Sequence, residues 1–299
     1  MSNLEGIQFF GQRNLEMTLS NSVIDFVRHG LLELGAYHNV TTGVLRPVSL
    51  PLQTGSTYKE FAGIKHDWVF STGFIPKSTG IALPVIPSGI LHNDTFVPSG
   101  TSISGSTWHI DYSRGRVVFS SGLPSGTNIA TSYCVRYVGV YSKSSNEYTR
   151  LVYDWANGGS GNIKLSTEQQ AYLPCIFVGI DGYDTKRGIG LGTRGKVTNA
   201  KFTFDIFATD DFTRTSLQDV CYFLETKNIP LLNYSQITKP LNTSGVVISN
   251  SGWPNWVNSF KIADARFNED FSVRQSNRPD LPYKASRAMM TLETDTYPA

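Results

Sequence analysis

At 299 residues, with a net charge of +2 and 17% charged side chains, the chain is long enough for a well-buried core, and two domains of roughly 100–200 residues fit it best. The two signs are interspersed, so no basic face offers itself to a phosphate backbone, and nowhere do about 18 apolar residues run together as a membrane span requires. Aromatic residues reach 12%, and Gly, Ser, Thr and Asn fill the loops, which suits both a β-rich core and a surface that packs against neighbours.

The N-terminal MSNLEGIQFFGQRN lacks the apolar stretch of a secretory signal, which predicts folding in the cytosol and leaves the Asn-x-Ser/Thr triplets at Asn39, Asn93, Asn233 and Asn242 without meaning for glycosylation. A helix is predicted from about Ser20 to Leu34. Leu19, Val23, Phe26, Val27, Leu31 and Leu34 recur at helical spacing, Leu15 is in phase to extend it, and Gly35 supplies a C-terminal stop. From Thr41 onward Pro and Gly punctuate the chain every few residues, which predicts strands and turns without helix.

Trp108 to Tyr141 is the most telling stretch. Trp108, Ile110 and Tyr112 alternate with His109, Asp111 and Ser113. Gly115 turns the chain into Val117–Phe119, and Leu123-Pro124-Ser125-Gly126 turns it again into one long strand from Ile129 to Tyr141. Ile129, Thr131, Tyr133, Val135, Tyr137 and Tyr141 share one face of it, and a strand of that length projects beyond one small core or serves two surfaces.

Glu147–Trp155 reads as a short amphipathic stretch ended by a Gly-rich joint, and Ser166–Tyr172 as one or two helical turns. Pro174–Ile180 reads as a central buried strand. Lys196–Ala208 alternates cleanly. Asp210 or Asp211 then caps a helix over about Arg214–Glu225 with Leu217, Val220, Cys221 and Leu224 on its apolar face, and Pro230 marks the exit. Strands over about Trp256–Asn268 and Lys284–Thr294 follow. This order predicts an α+β fold with a mostly antiparallel sheet and two packing helices. Residues 1–40 and 148–299 would form the core domain, with an inserted all-β domain over 41–147.

Gly190-Leu191-Gly192-Thr193-Arg194-Gly195 matches a dinucleotide pattern, but a strand is predicted from Lys196 where that motif needs a helix N-terminus. The same run fails as a phosphate loop, because Val197 stands where Ser or Thr must ligate magnesium. The five histidines and the cysteines Cys134, Cys175 and Cys221 show no ligand spacing, so no metal or other cofactor is expected and the thiols read as buried and free. Asp181-Gly182 reads as a turn, and Asp210-Asp211 as a cap, so the carboxylates Asp181, Asp184, Asp210 and Asp211 form no set with a base, a nucleophile and an orienting partner; no enzyme is expected. Trp253 and Trp256 fit a partner anchor, loop core or a sugar-stacking site.

Three segments carry a resemblance: NLEMTLSNSVIDFVRHGLLELGAY, IDYSRGRVVFSSGLPSGTNIATSYCVRYVGVY and KFTFDIFATDDFTRTSLQDVCYFLETKNIPLL. Together they resemble structural proteins of tailed-bacteriophage virions at the neck, the head-to-tail connector or the tail terminator. The resemblance implies a homo-oligomeric ring that binds itself and neighbouring neck or tail proteins, passively near DNA in the channel, away from any membrane, and located in the virion after synthesis in the host cytoplasm. Candidate interface residues are Tyr133, Tyr137, Tyr141, Trp253, Trp256, Arg187 and Arg194. A tail-fibre, baseplate or surface module that binds host glycans is the alternative.

Overall fold

The structure, a computed structural model, describes residues 15–48, 59–70, 80–112, 114–123, 126–145, 148, 151, 171–187, 196–234, 255–276 and 283–296. Their strands form two seven-stranded sheets, mostly antiparallel, with few helices. The chain splits into two compact units. One comprises Leu31–Tyr137 with Thr238–Asn258, and the other Met1–Gly30 with Val138–Ile237 and Ser259–Ala299.

In the unit built around Leu31–Tyr137, seven strands follow in chain order: β1 (Tyr37–Pro47), β2 (Lys59–Ala62), β3 (Gly89–His92), β4 (Thr95–Pro98), β5 (Trp108–Asp111), β6 (Arg116–Phe119) and β7 (Ile129–Arg136). Their order across the sheet is β4-β3-β7-β1-β2-β6-β5. β1 is shared between the two halves of this arrangement: Tyr37–Val40 and Gly43–Leu45 pair with β7, and its last two residues pair with β2. Both halves of the sheet therefore contribute to one core, in which Leu45, Ile90, Ile129 and Tyr133 meet Phe61, Trp108, Ile110, Val117 and Phe119. Trp68 lies at its centre, stacked on Tyr133 with ring centroids 4.2 Å apart.

Two glycines make room for that stack. A Cβ on Gly63 would lie 2.6 Å from the Trp68 ring, and one on Gly115 would lie 2.3 Å from the Lys65 carbonyl and 2.7 Å from Trp68 Nε1. Gly115 also has φ +60 in the β5–β6 turn, where a side chain costs about 1–2 kcal/mol before any clash. Gly115→Ala is accordingly expected to destabilise this unit by more than about 1 kcal/mol, visible as a lowered urea midpoint with an unchanged slope; an unchanged midpoint would show that the turn relaxes freely.

The other unit holds α1 (Leu15–Glu33), whose last turn crosses into the first unit, and β8 (Gly139–Ser142), β9 (Cys175–Arg187) and β10 (Lys196–Ala208). α2 (Asp211–Tyr222), β11 (Asn228–Leu232), α3 (Asn255–Phe260), β12 (Lys261–Phe267), β13 (Ser272–Ser276) and β14 (Lys284–Thr296) follow, α3 lying across the unit boundary. The sheet order is β11-β12-β14-β10-β9-β8, with β13 also on β14. β10 pairs along its whole length with β14 on one side and, as far as Phe207, with β9 on the other, a ribbon of 13-residue strands about 43 Å long. One of its faces is apolar and fully buried at Ala200, Phe202, Phe204, Ile206 and Ala208, and α2 packs against β10 and β14.

α2 starts where the sequence places its cap. The Asp210 carboxylate accepts from Thr213 N at 2.8 Å and Thr213 Oγ1 at 2.9 Å, satisfying a donor that the helix leaves open. α1 ties down both edges of the sheet: Arg28 Nε donates to the Val140 carbonyl of β8 at 2.9 Å, and Ser22 Oγ accepts from Leu232 N of β11 at 3.0 Å. Open strand edges invite foreign pairing, so these bonds guard them. The three cysteines are free and buried, as their apolar settings predict.

Several sequence expectations need correction. The long strand over Ile129–Tyr141 is two strands: β7 pairs with β1 and β3 in one sheet, while β8 runs parallel to β9 in the other. The break falls at Tyr137-Val138, the boundary between the units. Trp256–Phe260 is helical, because Trp256, Val257 and Phe260 lie at i, i+1 and i+4, a spacing that a helix satisfies too. Pro230, expected to mark the exit from the helix, lies beyond the end of α2 and within β11, an edge strand where a missing N–H is tolerated. Asp181-Gly182 is a bulge inside β9, since Lys201 opposes Gly182 and Phe202 opposes Ile180, leaving Asp181 as the extra residue. The stretches expected over Glu147–Trp155 and Ser166–Tyr172 lie mostly outside the described residues.

Candidate functional site

The second face of the β9–β10–β14 ribbon is apolar at Cys175, Phe177, Phe207 and Ala285, and its charges converge on Asp205. This carboxylate, in mid-β10 and 4% exposed, lies directly across from Arg287 of β14. Arg287 Nε donates to Oδ1 at 2.6 Å and Nη2 to Oδ2 at 3.0 Å, the fork that suits a carboxylate best. Two more donors come from the segment after β8: the Tyr148 hydroxyl at 2.6 Å and Lys143 Nζ at 3.0 Å, both to Oδ2. Lys143 also bonds the Thr203 hydroxyl, which in turn donates to Asp181 at 3.3 Å.

Burial alone pushes the Asp205 carboxyl up, but the bonds from Arg287, Tyr148 and Lys143 outweigh it and hold the group below the ordinary carboxylate value. The stabilisation it gives is therefore complete above the carboxyl's unfolded pKa and is lost as pH falls through the lower folded one. Burial lowers the Lys143 ammonium, which Asp205 only partly offsets, and burial with the Asp205 bond raises the Tyr148 phenol.

Lys143 also lines a cleft of about 490 Å³ with Glu16, Ser20 and Asn21 of α1, and Ser142, Ser144 and Gly179. Its walls are hydroxyls, an amide and opposite charges, with Met17 and Ile180 as apolar patches and without an aromatic platform. Among the described residues no His, Cys, Asp or Glu trio gathers as a metal site, and no helix is long and apolar enough to cross a membrane.

A second feature is the outer face of α2. Phe212 is 83% and Phe223 68% exposed; eleven residues apart, they share one face of the helix three turns from each other. Tyr222 beside them is half exposed and packs edge-on to Phe271 at 5.3 Å. Single exposed apolar residues are ordinary, but aromatic rings gathered on one face mark contact surfaces.

The candidate interface residues disperse. Tyr133 is fully buried, and its hydroxyl accepts from Ile64 N at 3.0 Å, so it is core and not surface: β7 is covered on both faces, and alternation could not distinguish them. Tyr137 is half exposed at the unit boundary. Tyr141 is partly buried against Phe177 at 5.5 Å. Trp256 is partly buried on α3. Arg187 ends β9 opposite Lys196, while Trp253, Arg194 and the Gly190–Gly195 motif lie outside the described residues. β10 starts at Lys196, where a dinucleotide motif needs a helix. Asp211 pairs with Arg214 at 3.1 Å, which with the Asp210 cap commits both carboxylates to α2. Sequence reading missed Asp205, Lys143, Tyr148 and Arg287. The one available signal was an acid in the middle of the best-patterned strand.

No family model and no curated protein matches this chain.

Proposed function

We propose that this protein is a structural subunit of a tailed-bacteriophage virion at the neck or head-to-tail junction, with a tail-terminator-like α+β core, forming a ring by binding copies of itself and adjacent virion proteins. The observation that carries this reading is the exposed aromatic face of α2, with Phe212, Tyr222 and Phe223 held outward within a segment that resembles the strand-then-helix unit of neck and tail-terminator proteins. Aromatic side chains dominate interface hot spots. The low charged fraction of 17% agrees with a surface that packs against neighbours, since interface cores are depleted in charge. On this reading the protein acts by shape and assembly.

Light scattering on the purified chain, alone and with its neighbouring virion proteins, tests this. Assembly to a ring is expected, together with its loss in Phe212→Ser/Phe223→Ser at unchanged circular dichroism. A stable monomer in every mixture would sink the proposal. Electron microscopy of particles labelled at the C-terminus gives the position: a label where capsid meets tail supports the neck, and one at the tail tip contradicts it.

A further inference from the structure

We propose that the outer face of α2 in one copy of the chain docks on the exposed face of β13 and β14 in a second copy, head to tail, with Asp219 meeting Arg274. This rests on the reading above that copies of the chain bind one another, and it names the surface that receives the aromatic face of the helix.

The helix side follows from spacing. Asp219 comes seven residues after Phe212 and four before Phe223, which puts its carboxylate on the stripe between the two rings. It is exposed, and among the described residues it meets no opposite charge. The one base of α2, Arg214, is turned inward, buried and paired with Asp211. The outward stripe is therefore apolar and acidic, without a cation of its own.

The receiving side has the opposite character. Arg274 of β13 stands directly across from Arg287 of β14, and like charges at such a pair of positions repel. Arg287 commits its fork to the buried Asp205, yet its side chain remains 47% exposed. Arg274 is exposed and meets no acid among the described residues. Asp270, just before β13, is held by the Thr291 N–H and hydroxyl. The neighbouring pair is Ser272, exposed, across from Met289, partly buried. A carboxylate arriving here gains a guanidinium and relieves the repulsion, while a phenylalanine ring gains a cation and a thioether to pack on.

The placement of the two patches makes the contact head to tail. α2 packs against β10 and β14 over the face where Phe204, Ile206 and Ala288 have no exposure. The cluster on the other face, around Cys175 and Phe177, includes no residue of α2. Arg274 and Arg287 share that other face with Asp205. Both patches belong to one compact unit and point away from each other on opposite sides of its sheet, so a copy cannot offer both to the same neighbour. Each copy gives α2 to one neighbour and receives α2 from another, the arrangement that closes into a ring or runs on as a filament.

Charge reversal in the full chain tests the pairing, because neither the Asp219 nor the Arg274 side chain makes a bond whose loss would disturb the fold. By light scattering, Asp219→Lys and Arg274→Glu are each expected to raise the concentration needed for assembly about ten-fold or more, since like charges then face each other across the contact. Circular dichroism should stay unchanged. Mixed one to one, the two variants should assemble again in alternation: the reversed position 219 of one meets the reversed position 274 of the other, and the remaining contact is native. Assembly of both single variants at the parental concentration, or a mixture no stronger than its components, would overturn this pairing and leave self-association to another surface. A parent chain that stays monomeric in every mixture would overturn the ring and the pairing together.

Discussion

Glu60→Ala is expected to destabilise the Leu31–Tyr137 unit by about 3–5 kcal/mol, the cost of breaking a buried ion pair from one side. Glu60 stands on β2 and Arg116 on β6, one diagonal step apart on the same face. The Glu60 carboxylate has no solvent exposure and receives Arg116 Nη1, while Arg116 itself is 3% exposed. Arg114 Nη1 approaches the other carboxylate oxygen at 3.5 Å and is turned back by Asp111, whose Oδ2 accepts from Arg114 Nε at 2.6 Å. Removing Glu60 therefore takes this carboxylate away from a buried Arg116, with Arg114 still paired to Asp111. The double replacement Glu60→Leu/Arg116→Met removes both charges and should recover most of the loss, because a packed apolar pair commonly matches a buried ion pair. Urea unfolding followed by Cys134 protection reports on this unit. A Glu60→Ala chain as stable as the parent would mean that Arg116 is compensated without Glu60.

The residues of that pair show why some of the fold is legible in the sequence and some is not. Glu60 and Arg116 lie 56 positions apart, and nothing in the intervening pattern requires them to meet. Only the β2–β6 register brings them together. By contrast, β10 was readable to its end residues: every second side chain from Ala200 to Ala208 is apolar, and Asp210 follows as a cap that satisfies α2 locally. Local rules of this kind need no knowledge of the partner strand.

Where both faces of a strand are buried, the same rules lose their power. β7 covers Tyr133 and Cys134 equally, and a period-two reading mistakes a core tyrosine for a surface one. At Tyr137-Val138 the alternation continues while the chain changes sheets, because a switch of partners leaves no mark on a run of β-prone residues. The Asp205 site combines both difficulties. Its donors come from β14 and from the segment after β8, 82 and 57 positions away, and in one sequence each reads as an ordinary solvated residue.

Trp68→Ala is expected to cost about 3–5 kcal/mol, among the largest single losses that truncating a buried side chain produces. Trp68 is 1% exposed and Tyr133 fully buried. Their rings are stacked with only 17° between planes, which adds an aromatic contribution to the area removed from water. The indole also closes its surroundings: Nε1 donates to the Lys65 carbonyl at 3.0 Å, the Trp68 backbone N–H donates to Tyr112 O at 2.7 Å, and Trp68 bridges to Val135 of β7. The glycines at 63 and 115 fit the indole so closely that no side chain stands by to fill its space, so a cavity persists and its cost adds to the transfer loss. Trp68→Phe keeps a ring against Tyr133 and should lose less than half as much. Thiol protection at Cys134 under urea measures both, and equal midpoints for Trp68→Phe and Trp68→Ala would show that the stack contributes nothing beyond the indole's hydrogen bond.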